Sequence, residues 1–229
     1  MEPDNPTLDR YILSSSRPSD REPRVCFLPT ATGDNADYID RFYLAFDKLP
    51  CRPSHLSLLE GKSADPIATI LQSDILYVGG GNTREMLAIW RERGLDKALR
   101  QAWEAGKLLC GISAGAICWF ERAISDSVVA GELHPLECLG FLPGTVSPHY
   151  DESGRRETFH RCLTTGEVSE GYGIDNGAGL HFIGGQLATV VSSRPDAFGY
   201  RVAFINGEVV ETVLPGVAVS RYAAMTNDK

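Results

Sequence analysis

The chain has 229 residues, 43% of them hydrophobic, a formal net charge of −8 and a pI near 5.1. That length and apolar content suit one large α/β domain over residues 1–229, with 1–23 as a lead-in segment. The acidic balance offers no basic field for nucleic acid or an anionic membrane, and no apolar run is long enough to span a bilayer.

In chain order, Met1–Arg24 is rich in Pro, Asp and Arg and lacks the apolar segment of a signal peptide, so a cytoplasmic location is expected. A short extended piece is predicted at Tyr11–Leu13, ahead of the polar stretch Ser14–Glu22. The apolar run Arg24–Leu28, ended by Pro29, predicts a buried strand. Asp37–Leu49 reads as a helix, because Ile39, Phe42, Tyr43, Phe46 and Leu49 repeat with helical period. A second strand is predicted at His55–Leu59, a helix at Pro66–Gln72 and a strand at Ile75–Val78, which runs into Gly79-Gly80-Gly81-Asn82-Thr83. Thr83 is the expected N-cap of a helix through Arg93 that Gly94 ends. Another helix is predicted at Asp96–Ala105, then a strand at Leu108–Ile112 and a helix from Ser113-Ala114-Gly115 to about Arg122.

Strands alternating with helices in this way predict a mostly parallel central sheet covered on both faces, with the active site at the carboxyl ends of its strands. Beyond Ser125 short strands are predicted at Val128–Gly131, Gly144–Ser147, Gly171–Ile174, Leu187–Val191, Tyr200–Ile205 and Glu208–Val213. Asn206-Gly207 between the last two is a type I′ hairpin signal. The six cysteines lie far apart, mostly in apolar surroundings, and read as buried thiols of a reducing compartment. With neither a Cys-x-x-Cys nor a His-x-x-x-His pair, no metal and no cofactor is expected.

The sharpest chemical signal is Gly111-Ile112-Ser113-Ala114-Gly115, a Gly-x-Ser-x-Gly element between a strand and a helix. Small residues on both sides let the chain turn sharply enough to lift the Ser113 hydroxyl clear of the sheet, and the Ala114 amide at the helix start can stabilise an oxyanion. The glycines at 79–81 permit close backbone approach, so amides there can complete the oxyanion hole. Phosphate binding is the rival reading of that loop, but the sequence has neither Gly-x-Gly-x-x-Gly nor a Walker lysine. Among five histidines, His149 in Ser-Pro-His-Tyr follows a strand end at the expected active edge and is the favoured base. His181 is the reserve. His55 sits in an early strand, and His160 in a charged helical stretch.

The three segments Gly79–Thr83, Gly111–Gly115 and Ser147-Pro148-His149-Tyr150 resemble the motifs of the peptidase E (aspartyl dipeptidase) family and of cyanophycinase, in the same order and at similar spacings. The resemblance covers about Arg24 to Val191. It implies a three-layer α/β sandwich of the class I glutamine amidotransferase type, with Ser113 as nucleophile, His149 as base, and an oxyanion hole from the amides of Gly81 and Ala114. It also implies a preference for an aspartyl residue on the acyl side of the scissile bond.

One position departs from the family. Peptidase E carries Gly-x-Pro-Glu-Gly, and the glutamate orients the histidine; the matching stretch here is Gly173-Ile174-Asp175-Asn176-Gly177, with Asn176 in the glutamate position. An asparagine carbonyl can accept the imidazole N–H but carries no charge to stabilise imidazolium, and in serine proteases an Asp-to-Asn change costs about 10⁴-fold. Asp175 takes the role only if the strand register differs, since neighbouring strand residues face opposite ways. For an acidic substrate the candidate cations are Arg156 and its neighbour Arg155, with Asn82 of the glycine loop as a further substrate contact.

Four readings follow. The first is a serine peptidase acting through an acyl-enzyme on Ser113, with short peptides, dipeptides above all, as substrates. A small carboxypeptidase or esterase of other specificity is the second; in the esterase order Asp126 or Glu132 would serve ahead of His149. The third is a catalytically weakened binding protein, and the fourth a glutamine amidotransferase, which would need a cysteine where Ser113 stands. A homodimer is compatible with the sequence.

Overall fold

The computed structural model describes residues 1, 5–16, 18, 20–59, 65–214 and 216–218. The chain divides into two compact units, Met1–Ala116 and Ile117–Lys229.

The first unit is built on four parallel strands in the order β2-β1-β3-β4: β1 (Arg24–Leu28), β2 (Arg52–His55), β3 (Ile75–Val78) and β4 (Leu108–Gly111). Alternate residues cover its two faces. Val25, Phe27, Ile75 and Tyr77 pack against α1 (Thr7–Ser15) and α2 (Ala36–Phe46) through Leu13, Phe42 and Phe46. The Phe42 ring stacks between Phe27 at 4.8 Å and Phe46 at 4.6 Å, and each such fully buried phenyl contributes roughly 1.5–3 kcal/mol by leaving water. The residues of opposite parity, Cys26, Leu28, Leu76 and Val78, are equally buried. The remaining helices lie on that side: α3 (Pro66–Gln72) packs on β1 and on α5 (Leu95–Glu104), and α5 packs on α4 (Thr83–Arg93). This unit is therefore three layers deep.

The second unit carries a six-stranded sheet in the order β12-β11-β8-β7-β5-β6, formed by β5 (Phe120–Val129), β6 (Glu132–Glu137), β7 (Leu142–Pro148), β8 (Gly171–Ile174), β11 (Gly199–Ile205) and β12 (Glu208–Leu214). Its centre, β5-β7-β8, is parallel and its margins are antiparallel. Helix α7 (Arg155–Thr164) sets Phe159, Cys162 and Leu163 against Ile124, Tyr150 and Val202. A smaller sheet holds β9 (Ala178–Ile183), β10 (Gln186–Ser192) and β13 (Gly216–Ala218). Asn206 and Gly207 both have positive φ, 54° and 90°, as the predicted I′ turn requires. Among the described residues no helix is long and apolar enough to cross a membrane.

Four expectations need correcting. Tyr11–Leu13 belongs to α1 rather than to an extended piece, since three adjacent apolar residues carry no period that separates strand from helix, and packing of Leu13 on the Phe42–Phe46 cluster decides. The second strand ends at His55 instead of beginning there; the amides of Leu58 and Leu59 are taken by the Asp34 carboxylate at 2.6 and 2.7 Å, which removes them from any ladder. Asn82, not Thr83, caps α4, its side chain accepting from the Glu85 amide at 3.0 Å. The helix after Ser113 is the four-residue α6 (Ala114–Ile117), because Phe120 onward is claimed by pairing with β6 and β7, a hairpin and a strand β9 that the sequence pattern did not disclose.

Candidate active site

The elbow is a steric consequence of its glycines. Ser113 has φ = +51°, one of four non-glycine residues with positive φ among those described, a conformation that costs a non-glycine residue of order 1–2 kcal/mol. A Cβ on Gly115 would lie 2.2 Å from the Val78 carbonyl oxygen, and one on Gly111 would lie 2.4 Å from the Gly115 oxygen. Only hydrogen fits at either position, so β4 and the start of α6 press directly on the end of β3. Cys110 lies behind the turn in β4, where burial raises its thiol pKa well above the ordinary value; it is not poised as the nucleophile of an amidotransferase.

The glycine loop borders this turn, since a Cβ on Gly80 would come within 3.4 Å of Ser113 Cβ. Its amides are accounted for individually. Gly79 donates to Leu28 O at 3.0 Å, Gly80 to the Tyr38 hydroxyl at 3.1 Å and Asn82 to Ala31 O at 2.7 Å. Among the described residues the Gly81 N–H has no acceptor, and neither has that of Ala114. Gly81 has φ = +135° and no room for a Cβ, which would fall 2.2 Å from Ala31 O. Two donors left open beside a strained serine are what an oxyanion hole requires.

The second unit carries the candidate base, His149. His149 follows Pro148 at the end of β7 with φ = +52°. The Tyr150 amide bonds Ile174 O at 3.0 Å and the Glu152 amide bonds His149 O at 2.9 Å, so the turn is held from both sides. The Tyr150 ring lies against Gly173, where a Cβ would meet it at 2.4 Å. His149 Nδ1 lies 2.6 Å from Asn176 Oδ1. The orientation of that amide is fixed: Nδ2 donates to Asp151 Oδ1 at 3.1 Å and Glu152 Oε1 at 3.0 Å, so the oxygen must face the imidazole. An acceptor at Nδ1 keeps the proton there and leaves Nε2 as the basic nitrogen.

Asp175 faces away. Its Oδ2 accepts from the Phe198 amide at 3.0 Å and the Tyr200 hydroxyl at 3.3 Å, so the residue that meets His149 is Asn176. Burial raises the Asp175 carboxyl pKa against the lowering by the Phe198 amide. His181 lies on β9, where burial lowers its pKa. His55 contacts the Tyr43 hydroxyl at 2.8 Å and His160 contacts Glu211 at 2.7 Å. Of the candidate cations, Arg155 is 9% exposed and turned to Asp126 at 3.4 Å. Arg156 is ion-paired with Glu211 and lies over the rings of Tyr150 at 4.5 Å and Tyr200 at 4.8 Å. Asn82 is occupied as the α4 cap. Among the described residues no group of three or more His, Cys, Asp or Glu is arranged to hold a metal.

The profile of peptidase family S51 matches residues 1–190. The chain belongs to that family. It is 51% identical over 216 residues to the uncharacterized peptidase YgaJ of Bacillus subtilis, covering 94% of this chain and 92% of the relative. It is 37% identical to peptidase E of Citrobacter koseri over 89 residues, 38% of each chain. The crystal structure of a peptidase from an acI-B1 actinobacterium superposes with a TM-score of 0.67 at 17% identity, covering 92% of this chain and 91% of that one. The fold is thus α/β with mostly parallel central sheets, of the class I glutamine amidotransferase-like kind, and the S51 chain is a peptidase, a hydrolase related to peptidase E.

Four residues that contact the candidate site escaped the sequence reading. Tyr38, which takes the Gly80 amide, lies forty-two positions away and carries no local signal. Asp151 and Glu152 directly follow His149-Tyr150, and that acidic pair was the available clue. Arg194 donates to the Asn176 carbonyl and lies 3.6 Å from Asp151 Oδ2; the Gly177 turn beneath it has φ = +82°.

Proposed function

We propose that this S51 peptidase is a serine peptidase of short peptides, dipeptides above all, working through an acyl-enzyme on Ser113. The observation that carries the reading is the strained Ser113 set beside two open amides, Gly81 and Ala114. In the proposed reaction the Ser113 hydroxyl oxygen attacks the scissile carbonyl carbon while its proton passes to His149 Nε2. The tetrahedral oxyanion is held by the two amides; on collapse the C–N bond breaks and the amine leaves with the proton from His149. Water, deprotonated by the same nitrogen, then attacks the ester, the carboxylic product leaves and the serine hydroxyl is restored.

We further propose a modest preference for an acidic residue on the acyl side. Arg156, the more exposed of the two candidate guanidinia, is its source, and a substrate carboxylate must compete with Glu211 for it. The location proposed is the cytoplasm, supported by Cys26, Cys51, Cys110 and Cys162, which form no disulfide among the described residues. The net charge of −8 supports neither nucleic acid nor membrane as a partner.

The test is a panel of Asp-Xaa dipeptides, neutral dipeptides and N-blocked peptides offered to wild type and Ser113→Ala. Turnover by wild type with a loss of about 10⁴-fold or more in the variant is expected, with Asp-Xaa favoured over neutral dipeptides by about tenfold or less, a pair geometry worth little more than a partly solvated ion pair. Equal turnover by both proteins would refute the serine mechanism.

A further inference from the structure

The charge that Asn176 lacks stands one hydrogen bond behind it. Its Nδ2 is shared between Asp151 Oδ1 and Glu152 Oε1, its backbone N–H donates to Asp151 Oδ1 at 2.8 Å, and Glu152 Oε1 lies 3.7 Å from His149 Nδ1. Donating both amide protons to carboxylates polarises the amide toward its oxygen, the atom that accepts from the imidazole. A negative charge within about 4–6 Å of a histidine favours its charged form, which is the form created when the base takes the serine proton.

We propose that Asp151 and Glu152 are positioning residues that act through Asn176, so that the acid of the triad is displaced outward by one residue rather than lost. The two carboxylates do different work. Asp151 is gripped by the backbone and side chain of Asn176 and is partly neutralised by Arg194, itself 4.0 Å from Asp196; it fixes geometry. Glu152 has no such counter-cation among the described residues and lies closer to the ring, so it supplies most of the potential. Its side chain is 55% exposed, and its share therefore falls as salt is raised.

The inference rests on His149 being the base. It is tested by charge relocation, with the full-length chain and a fluorophosphonate probe, which forms an O–P bond at Ser113 as the P–F bond breaks, fluoride leaving and the hydroxyl proton passing to His149. Glu152→Gln is expected to slow labelling about tenfold, an effect that shrinks at about 1 M salt. Asn176→Asp alone is expected to slow labelling by a similar factor, because it replaces a donor by a carboxylate facing two others. The double variant Asn176→Asp with Glu152→Gln moves the charge inward without changing its total and lets the new glutamine donate; recovery to within about threefold of wild type is expected.

Wild-type rates in Glu152→Gln and Asp151→Asn, or faster labelling by Asn176→Asp unaided, would overturn the relay. If wild type is not labelled at all, the serine-peptidase reading fails separately. The relay is then decided by ¹⁵N spectra of the histidine ring: a dominant Nδ1–H tautomer at His149 that weakens when both carboxylates are removed supports it, and unchanged spectra refute it. Coincident thermal melts separate these effects from unfolding.

Discussion

The two halves of the proposed site are specified by different physics. Around Ser113 the shape is imposed by the backbone: Gly81, Gly111 and Gly115 are positions where a Cβ would strike a carbonyl oxygen at 2.2–2.4 Å, and nothing but the absence of a side chain is needed to make the turn. Around His149 the shape is imposed by side chains, a relay from Asp151 and Glu152 through Asn176 that depends on three hydrogen-bond lengths and one amide orientation. A half built from excluded volume should fail abruptly when perturbed, whereas one built from polar contacts should degrade by steps.

The sharpest break is expected at Gly115→Ala. The new methyl would sit 2.2 Å from Val78 O and 2.6 Å from its carbonyl carbon, neither of which is a flexible chain end, so β3 or the elbow must move. A loss of more than about 3 kcal/mol in thermal or denaturant unfolding is expected, together with loss of fluorophosphonate labelling. A well-folded, labelled variant would show the elbow to be softer than its contacts imply.

Gly81→Ala comes next, and it separates shape from donor. Gly81 is exposed and lies in a loop, but φ = +135° and the clash with Ala31 O oblige the peptide to rotate and swing its N–H away. Turnover of the best dipeptide is expected to fall about 10²–10³-fold, the value of one oxyanion donor, while KM changes little. If KM rises and kcat holds, the Gly81 amide binds substrate rather than the oxyanion.

The same division explains what the sequence disclosed. Gly-x-Ser-x-Gly and the triple glycine are local patterns, and the element boundaries around them (Ile75–Val78, the helix to Arg93, the strand from Leu108) agree with the structure to within a residue or so. Excluded volume is written where it acts. The relay was legible only in part: His149 and the position of Asn176 could be named, yet the partners of Asn176 lie 24 and 25 residues away and are joined to it by the β7–β8 pairing. The substitution at 176 reads as a defect in isolation because its compensation is non-local. The second unit's fold was obscured for a related reason. The β5–β6 hairpin and β9 are amphiphilic, half-exposed strands without a clean two-residue period, and it is pairing that fixes them.

Asp175 and Asn176 allow the finest version of the contrast, since adjacent residues here serve opposite ends. Asp175 is 6% exposed; its Oδ2 is bonded twice while Oδ1 is buried without a partner among the described residues. Burial lifts its carboxyl pKa above the ordinary carboxylate value. A raised native pKa means that the folded chain holds this proton more tightly than the unfolded chain. The group therefore takes stability away as pH climbs from the ordinary carboxylate value through the native one, the reverse of a salt-bridged aspartate. Asp175→Asn removes the charge and keeps an oxygen for the Phe198 amide. Above that window it should be the more stable protein by about 1 kcal/mol, with the difference vanishing as pH falls below it. Labelling of Ser113 should stay within about twofold of wild type, since the Asp175 side chain makes no bond to His149 or Asn176. Melting curves across that pH range decide the sign. A variant less stable at neutral pH would mean that the two bonds to Oδ2 outweigh the unpartnered Oδ1, and that Asp175 braces the β8–β11 pairing as an anion.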